Sequence, residues 1–162
     1  MLLFYMGKDD LCDVIAQKTE AHGVDTDRII PCGALPQADH LDRIAQVDLC
    51  LDCFSYNAHT TASDALWAGV PILTLAGKQF AARVASSILS AAHLPDLSVK
   101  SEELFIDKAV SLAKNPDEMM RIKHHLREQR FALPLFDTEA WTRDFENALH
   151  QIYHETQSAA GS

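Results

Sequence analysis

The sequence predicts an α/β domain: a single doubly wound parallel sheet with helices on both faces, Rossmann-like, closing on a helical C-terminal end. Three observations predict it. Short apolar runs alternate with helix-spaced segments about every 20 residues as far as Pro95, and strands alternating with helices mean βαβ units. Beyond Pro95 the pattern turns almost wholly helical. The 162 residues, 48% of them hydrophobic, suit one compact core. One domain is expected over 1–157, with 158–162 as a disordered tail.

In order, residues 1–6, rich in Leu, Phe and Tyr, read as a first strand. Over 9–22, Leu11, Val14, Ile15 and Ala21 share a helix face, and Gly23 stops it. Residues 28–32 form a second strand, 33–36 a turn, and 37–46 a helix through Leu41, Ile44 and Ala45. A third strand covers 49–53. The next helix ends at Gly69, Val70 and Pro71, and 71–75 is a fourth strand. Residues 80–92 form a helix rich in Ala and Ser, suited to close packing on the sheet, and 97–99 a short edge strand. Two helices follow, 101–115 and 116–128, the second with Asn115 as cap, Pro116 in its first turn and Asp117 and Glu118 beside the dipole. Asp137 and Thr138 open a last helix through Trp141, Phe145, Leu149, Ile152 and Tyr153.

A formal charge of -9 argues against a nucleic-acid or anionic-membrane surface, since both need a basic face. No run approaches the ~20 apolar residues that cross a bilayer, and no signal segment opens the chain, so a soluble cytoplasmic protein is expected. Cys12, Cys32, Cys50 and Cys53 fit buried thiols in a reducing compartment. Cys50-x-x-Cys53 lies in a strand-like run, where residues three apart point to opposite faces, so neither a redox pair nor half a zinc site is expected. Asp25-x-Asp27 precedes a strand and reads as a turn rather than a metal chelator.

The stretch 57–74 carries the candidate chemistry. A strand runs into a helix start crowded with His59, Thr60, Thr61 and Ser63. Free amides and the helix dipole there favour an anion, and hydroxyls and imidazole add donors. Equally, Thr60 or Thr61 merely caps the helix. Asp64, in the first turns, either accepts from a ligand's hydroxyls or compensates the dipole. Gln37, His40 and Arg43 share a helix face after the 33–36 turn, which is also how a solvated face looks. Lys78 and Arg83 flank the following helix start, where either can face a diphosphate or pair with a carboxylate. Trp67 reads as core, and His124 and His125, among Arg121, Lys123 and Arg127, as a solvated face.

The pattern N-x-H-T-T-x-x-D-x-L-W-A-G-x-P-(I/V)-(L/V)-T resembles the donor-binding signature of the O-linked N-acetylglucosamine transferase family. Arg28-Ile29-Ile30, Phe80-Ala81-Ala82-Arg83-Val84-Ala85-Ser86-Ser87 and Leu135-Phe136-Asp137-Thr138 extend the likeness over most of the chain. The resemblance implies the C-terminal lobe of a two-lobed, B-type glycosyltransferase, in a bacterial member. It implies UDP-sugar as donor, with His59, Thr60 and Thr61 on the diphosphate and Asp64 on the ribose. Leu35, Gln37, His40 and Arg43 would hold the nucleotide, although some members have Lys where Gln37 stands. The implied reaction is an inverting, metal-independent and cofactor-free transfer of N-acetylglucosamine to Ser or Thr, assisted by a preceding lobe. No catalytic residue is then expected here, and the chain alone is expected to be inactive. Its partners would be the missing N-terminal lobe and a protein acceptor met through upstream regions, including 34-residue helical repeats. Two other classes share the fold: a non-catalytic binding or scaffolding domain, and a sugar-nucleotide epimerase-like lobe.

Overall fold

The structure is a computed structural model that describes residues 3–6 and 9–160, with side chains over 13–157. The expected Met1 and Leu2 of the first strand, the Leu11 and Cys12 side chains, and 161–162 of the tail lie outside the described residues. Contacts divide the chain into two compact units, Met1–His40 and Leu41–Ser162.

In the first unit, strand β1 (Leu3–Met6) lies parallel to β2 (Ile29–Cys32), with Leu3 opposite Ile29 and Met6 opposite Cys32. Helix α1 (Asp9–Ala21) makes the crossover that a parallel pair requires. It stops where expected. Gly23 sits at φ +69, its N–H donates to Glu20 O, and Val24 N–H reaches back to Thr19 O, the paired bonds of a Schellman end. Asp25 accepts from Asp27 N–H at 2.9 Å and caps the 3-10 turn Thr26–Arg28, so Asp25-x-Asp27 is the turn it resembles. Helix α2 (Gln37–Ile44) begins in this unit and ends in the next, two residues shorter than its spacing suggests.

The second unit is built on β3 (Cys50–Leu51), β4 (Ile72–Leu75) and β5 (Ser98–Val99), all parallel, with β4 in the centre. Cys50 faces Ile72, and Thr74 faces Ser98. Helix α3 (Thr60–Trp67) connects β3 to β4. Helix α4 (Val84–Ala91) leads towards β5. Gly69, at φ +79, ends α3 with another Schellman pair, Gly69 N–H to Leu66 O and Val70 N–H to Ala65 O. The expected start of the 80–92 helix is instead a 3-10 turn, Phe80–Ala82. Gly77 donates to Ala82 O at 2.7 Å and a Cβ on it would meet Ala82 Cβ, so the chain folds back on itself before α4 begins.

Helix α5 (Glu102–Lys114) is capped by Ser101, which accepts from Leu104 N–H, and α6 (Pro116–Glu128) carries its expected cap, Asn115, which accepts from Glu118 N–H. Ala62, Leu66, Ile72, Leu89, Leu97, Leu112, Ile122, Leu126 and Leu133 meet in one buried core. The predicted solvated face of α6 holds for Arg121, His124 and Arg127, all exposed, and needs correcting at Lys123 and His125, both half-buried. Lys123 donates to Val47 O and Asp48, and His125 Nε2 lies 3.0 Å from Ala92 O at the end of α4, so both tie α6 to distant segments. Helix α7 (Thr138–Ala160) is capped by Asp137, which accepts from Ala140 N–H, and leaves Trp141, Phe145, Leu149, Ile152 and Tyr153 exposed.

Candidate functional site

His59 takes the N-cap position of α3 but makes no side-chain cap bond; its carbonyl accepts from Ala62 and Ser63 N–H. Thr60 and Thr61 follow as the first two helical residues, both exposed. Among the described residues neither their amides nor their hydroxyls have a partner. The capping alternative is therefore absent, and two N–H groups, two hydroxyls and the positive end of the dipole stand together. Asp64 is half-buried in the second turn, beyond the reach of useful dipole compensation, and makes no ion pair among the described residues.

The loop leading to α3 is held by residues that the sequence did not single out. Asp52 follows β3 directly. One carboxylate oxygen accepts from Cys53 N–H at 2.8 Å and Ala58 N–H at 2.7 Å, and the other from Thr74 Oγ1 in the middle of β4. This bends the chain immediately after Leu51, which is why β3 is shorter than the apolar run that encodes it. Asn57, fully buried, donates through Nδ2 to Cys53 O and through its amide to Ala81 O, joining the loop to the Phe80–Ala82 turn. The signal was a carboxylate closing one apolar run and a lone Thr inside the next.

Among the described residues, two buried polar atoms in this loop lack partners: Asn57 Oδ1 and His59 Nε2. The Nδ2 bond to Cys53 O fixes the orientation of the Asn57 amide, so Oδ1 is a genuine orphan. Buried groups of this kind are rare, and these two lie two residues apart in the loop that leads to the unpaired helix amides. Tyr56 stacks on the His59 ring with centroids 4.8 Å apart, and Phe80 meets that ring edge-on at 6.3 Å. Phe80 and Arg83 also line an open recess with Val84, Ser87 and Ile88. Lys78 is exposed beside it in sequence.

The remaining candidates are placed as follows. Leu35 is exposed in the turn before α2, Gln37 is the first residue of that helix, and His40 and Arg43 are half-buried along it. Leu35, Gln37 and His40 belong to the first unit, Arg43 and the α3 residues to the second. Trp67 packs edge-on against Phe131 and Phe136 with the Arg130 guanidinium 4.6 Å above its ring, a structural role. Cys50 is a half-buried thiol pushed up to about 11, first by burial and then by the Asp52 charge, while Cys53 is exposed. Burial makes Cys50 inert rather than redox-active.

The model of the family described as glycosyl transferase family 41 matches residues 4–145. The probable UDP-N-acetylglucosamine--peptide N-acetylglucosaminyltransferase SEC of Arabidopsis thaliana is 38% identical over 135 residues, covering 83% of this chain and 14% of its own length. The UDP-N-acetylglucosamine--peptide N-acetylglucosaminyltransferase of Caenorhabditis elegans is 32% identical over 136 residues, 84% of this chain and 12% of its own length. A solved O-GlcNAc transferase mutant from Thermobaculum terrenum superposes with a TM-score of 0.90 at 28% identity, over 98% of this chain and 31% of that one. The chain thus spans a small part of each of these proteins.

Proposed function

This chain belongs to glycosyl transferase family 41, and we propose that it is the UDP-sugar-binding C-terminal lobe of a protein O-glycosyltransferase. The observation that carries this reading is the open cradle at the start of α3: the unpaired amides and hydroxyls of Thr60 and Thr61, with the His59 imidazole next to them in the chain. A diphosphate supplies what these groups lack, since the amides and hydroxyls all donate and an imidazole carries at least one N–H. His59, Thr60 and Thr61 then hold the diphosphate, and Asp64 accepts from the ribose hydroxyls. Leu35, Gln37, His40 and Arg43 are assigned to the nucleoside on the strength of the family pattern. With Gln in place of Lys at position 37, that contact is a hydrogen bond rather than a charge.

The transferred sugar is N-acetylglucosamine or a close relative, and the acceptor a Ser or Thr hydroxyl, as the names of the relatives suggest. The transfer is inverting and uses neither metal nor cofactor. Binding energy at the diphosphate serves the reaction by holding the leaving group in line, while the groups that act on the acceptor come from a preceding lobe. The chain alone is accordingly a donor binder without turnover, and helical repeats upstream bring the protein acceptor. The whole enzyme works in the cytoplasm.

Thermal unfolding with and without nucleotide tests the proposal, because a ligand of the native state must stabilise it. UDP at 100 times its Kd adds about 2.7 kcal/mol, several degrees in Tm, and uridine without phosphates adds far less. Equal Tm values with millimolar UDP and without it would exclude donor binding here.

A further inference from the structure

Resting on the donor-site reading, we propose that Tyr56 is a positioning residue of the anion site. Stacked on the His59 imidazole, it holds that ring with Nε2 shut inside the protein and leaves Nδ1 as the nitrogen that meets a bound phosphate. The two rings lie nearly parallel, 14° apart at 4.8 Å, and Phe80 meets the imidazole in a T-shaped contact at 87°. Tyr56 and Phe80 themselves are 65% and 75% exposed, so neither ring is there to fill the core. Their registration comes from the backbone: Asn57 N–H donates to Ala81 O, which sets the residue before each, Tyr56 and Phe80, beside the imidazole.

The consequence for the imidazole is a choice of tautomer. Nε2 is cut off from water and has no partner among the described residues, whereas Nδ1 is not among the atoms so enclosed. A neutral ring carries one N–H, and a dry, unpaired N–H is the more wasteful arrangement when the same proton on Nδ1 can be solvated. The ring therefore presents Nδ1–H outward and a bare lone pair inward. A phosphate oxygen that replaces water at Nδ1 finds the donor already oriented, so little ordering is left for binding to impose. Without the Tyr56 ring, His59 is free to turn about its side-chain torsions and to exchange its two nitrogens.

Ring nitrogen NMR of the full chain reads this directly. In the ligand-free wild type His59 shows the Nδ1–H tautomer, with its ring protons displaced by the Tyr56 ring current. Tyr56→Ala mixes the tautomers, removes that displacement and weakens UDP binding about three- to tenfold, the scale of one lost aromatic contact. Tyr56→Phe keeps the ring and restores both. A Tyr56→Ala protein with unchanged His59 signals and UDP affinity within twofold of wild type overturns the positioning role, provided His59→Ala does weaken UDP. If His59→Ala also binds UDP as the wild type does, the donor-site reading itself fails, and the role of Tyr56 with it.

Discussion

Replacing Asp52 by Ala should unfold this protein more readily than its half-exposed position suggests. The carboxylate accepts three hydrogen bonds, from Cys53 N–H, Ala58 N–H and Thr74 Oγ1. Hydrogen bonds to a charged acceptor contribute roughly 1.5–3 kcal/mol each when water cannot replace them. Cys53 is exposed and its amide rehydrates, so its loss costs little. Ala58 is half-buried, but Thr74 is fully buried, and its hydroxyl is left with no partner. The sum is about 3 kcal/mol, or about 10 °C in Tm for a chain of this size. Thr74→Val removes both the hydroxyl and its need of a partner, so the double variant Asp52→Ala with Thr74→Val should be less unstable than the two single losses added. A coupling of about 1 kcal/mol or more is expected. Urea unfolding followed by Trp fluorescence measures all three, and UDP affinity should fall in parallel because Tyr56 and Asn57 ride on the same loop. A loss below about 1 kcal/mol in Asp52→Ala, or strict additivity with Thr74→Val, would refute the claim that this carboxylate organises the loop.

Three further outcomes are expected. His93 ends α4 at φ 58, a left-handed backbone that costs an L side chain energy, so His93→Gly should raise stability by about 0.5–1 kcal/mol in urea titrations. Gly69→Ala should do the reverse, losing about 1–2 kcal/mol, because φ is +79 and the new Cβ would press on the Arg127 side chain. Cys50 is held protonated in the fold, up to about 11 against an ordinary 9.0. Its raised value contributes stability that is fully present below pH 9 and is lost as pH climbs towards 11, so wild type should weaken over that window more steeply than Cys50→Ala.

Much of this was written locally in the chain. Helix ends announced themselves where one residue supplies the whole mechanism: Gly23 and Gly69 at left-handed stops, Ser101, Asn115 and Asp137 as caps. The edge strand β5 was visible in three residues because Pro95 and Ser101 bracket it. What the sequence hid depends on partners far along the chain. The shortening of β3 needs Thr74, the 3-10 turn at Phe80–Ala82 needs the Gly77 contact, and the tethering of Lys123 and His125 needs Val47 and Ala92. The site shows the same division. His59, Thr60, Thr61 and Asp64 stand out by residue type at a helix start, while Asp52, Tyr56 and Asn57 gain their meaning only when the loop closes on Ala81 and β4.

Isothermal titration of UDP into wild type and into the Thr60→Ala, Thr61→Ala double variant addresses the central claim most directly. Both threonines are exposed and their hydroxyls have no partner among the described residues, so the variant should keep its Tm. It should nevertheless bind UDP at least tenfold more weakly, each lost hydroxyl contributing about 1 kcal/mol. Undiminished affinity in a folded double variant would place the diphosphate elsewhere and contradict the account.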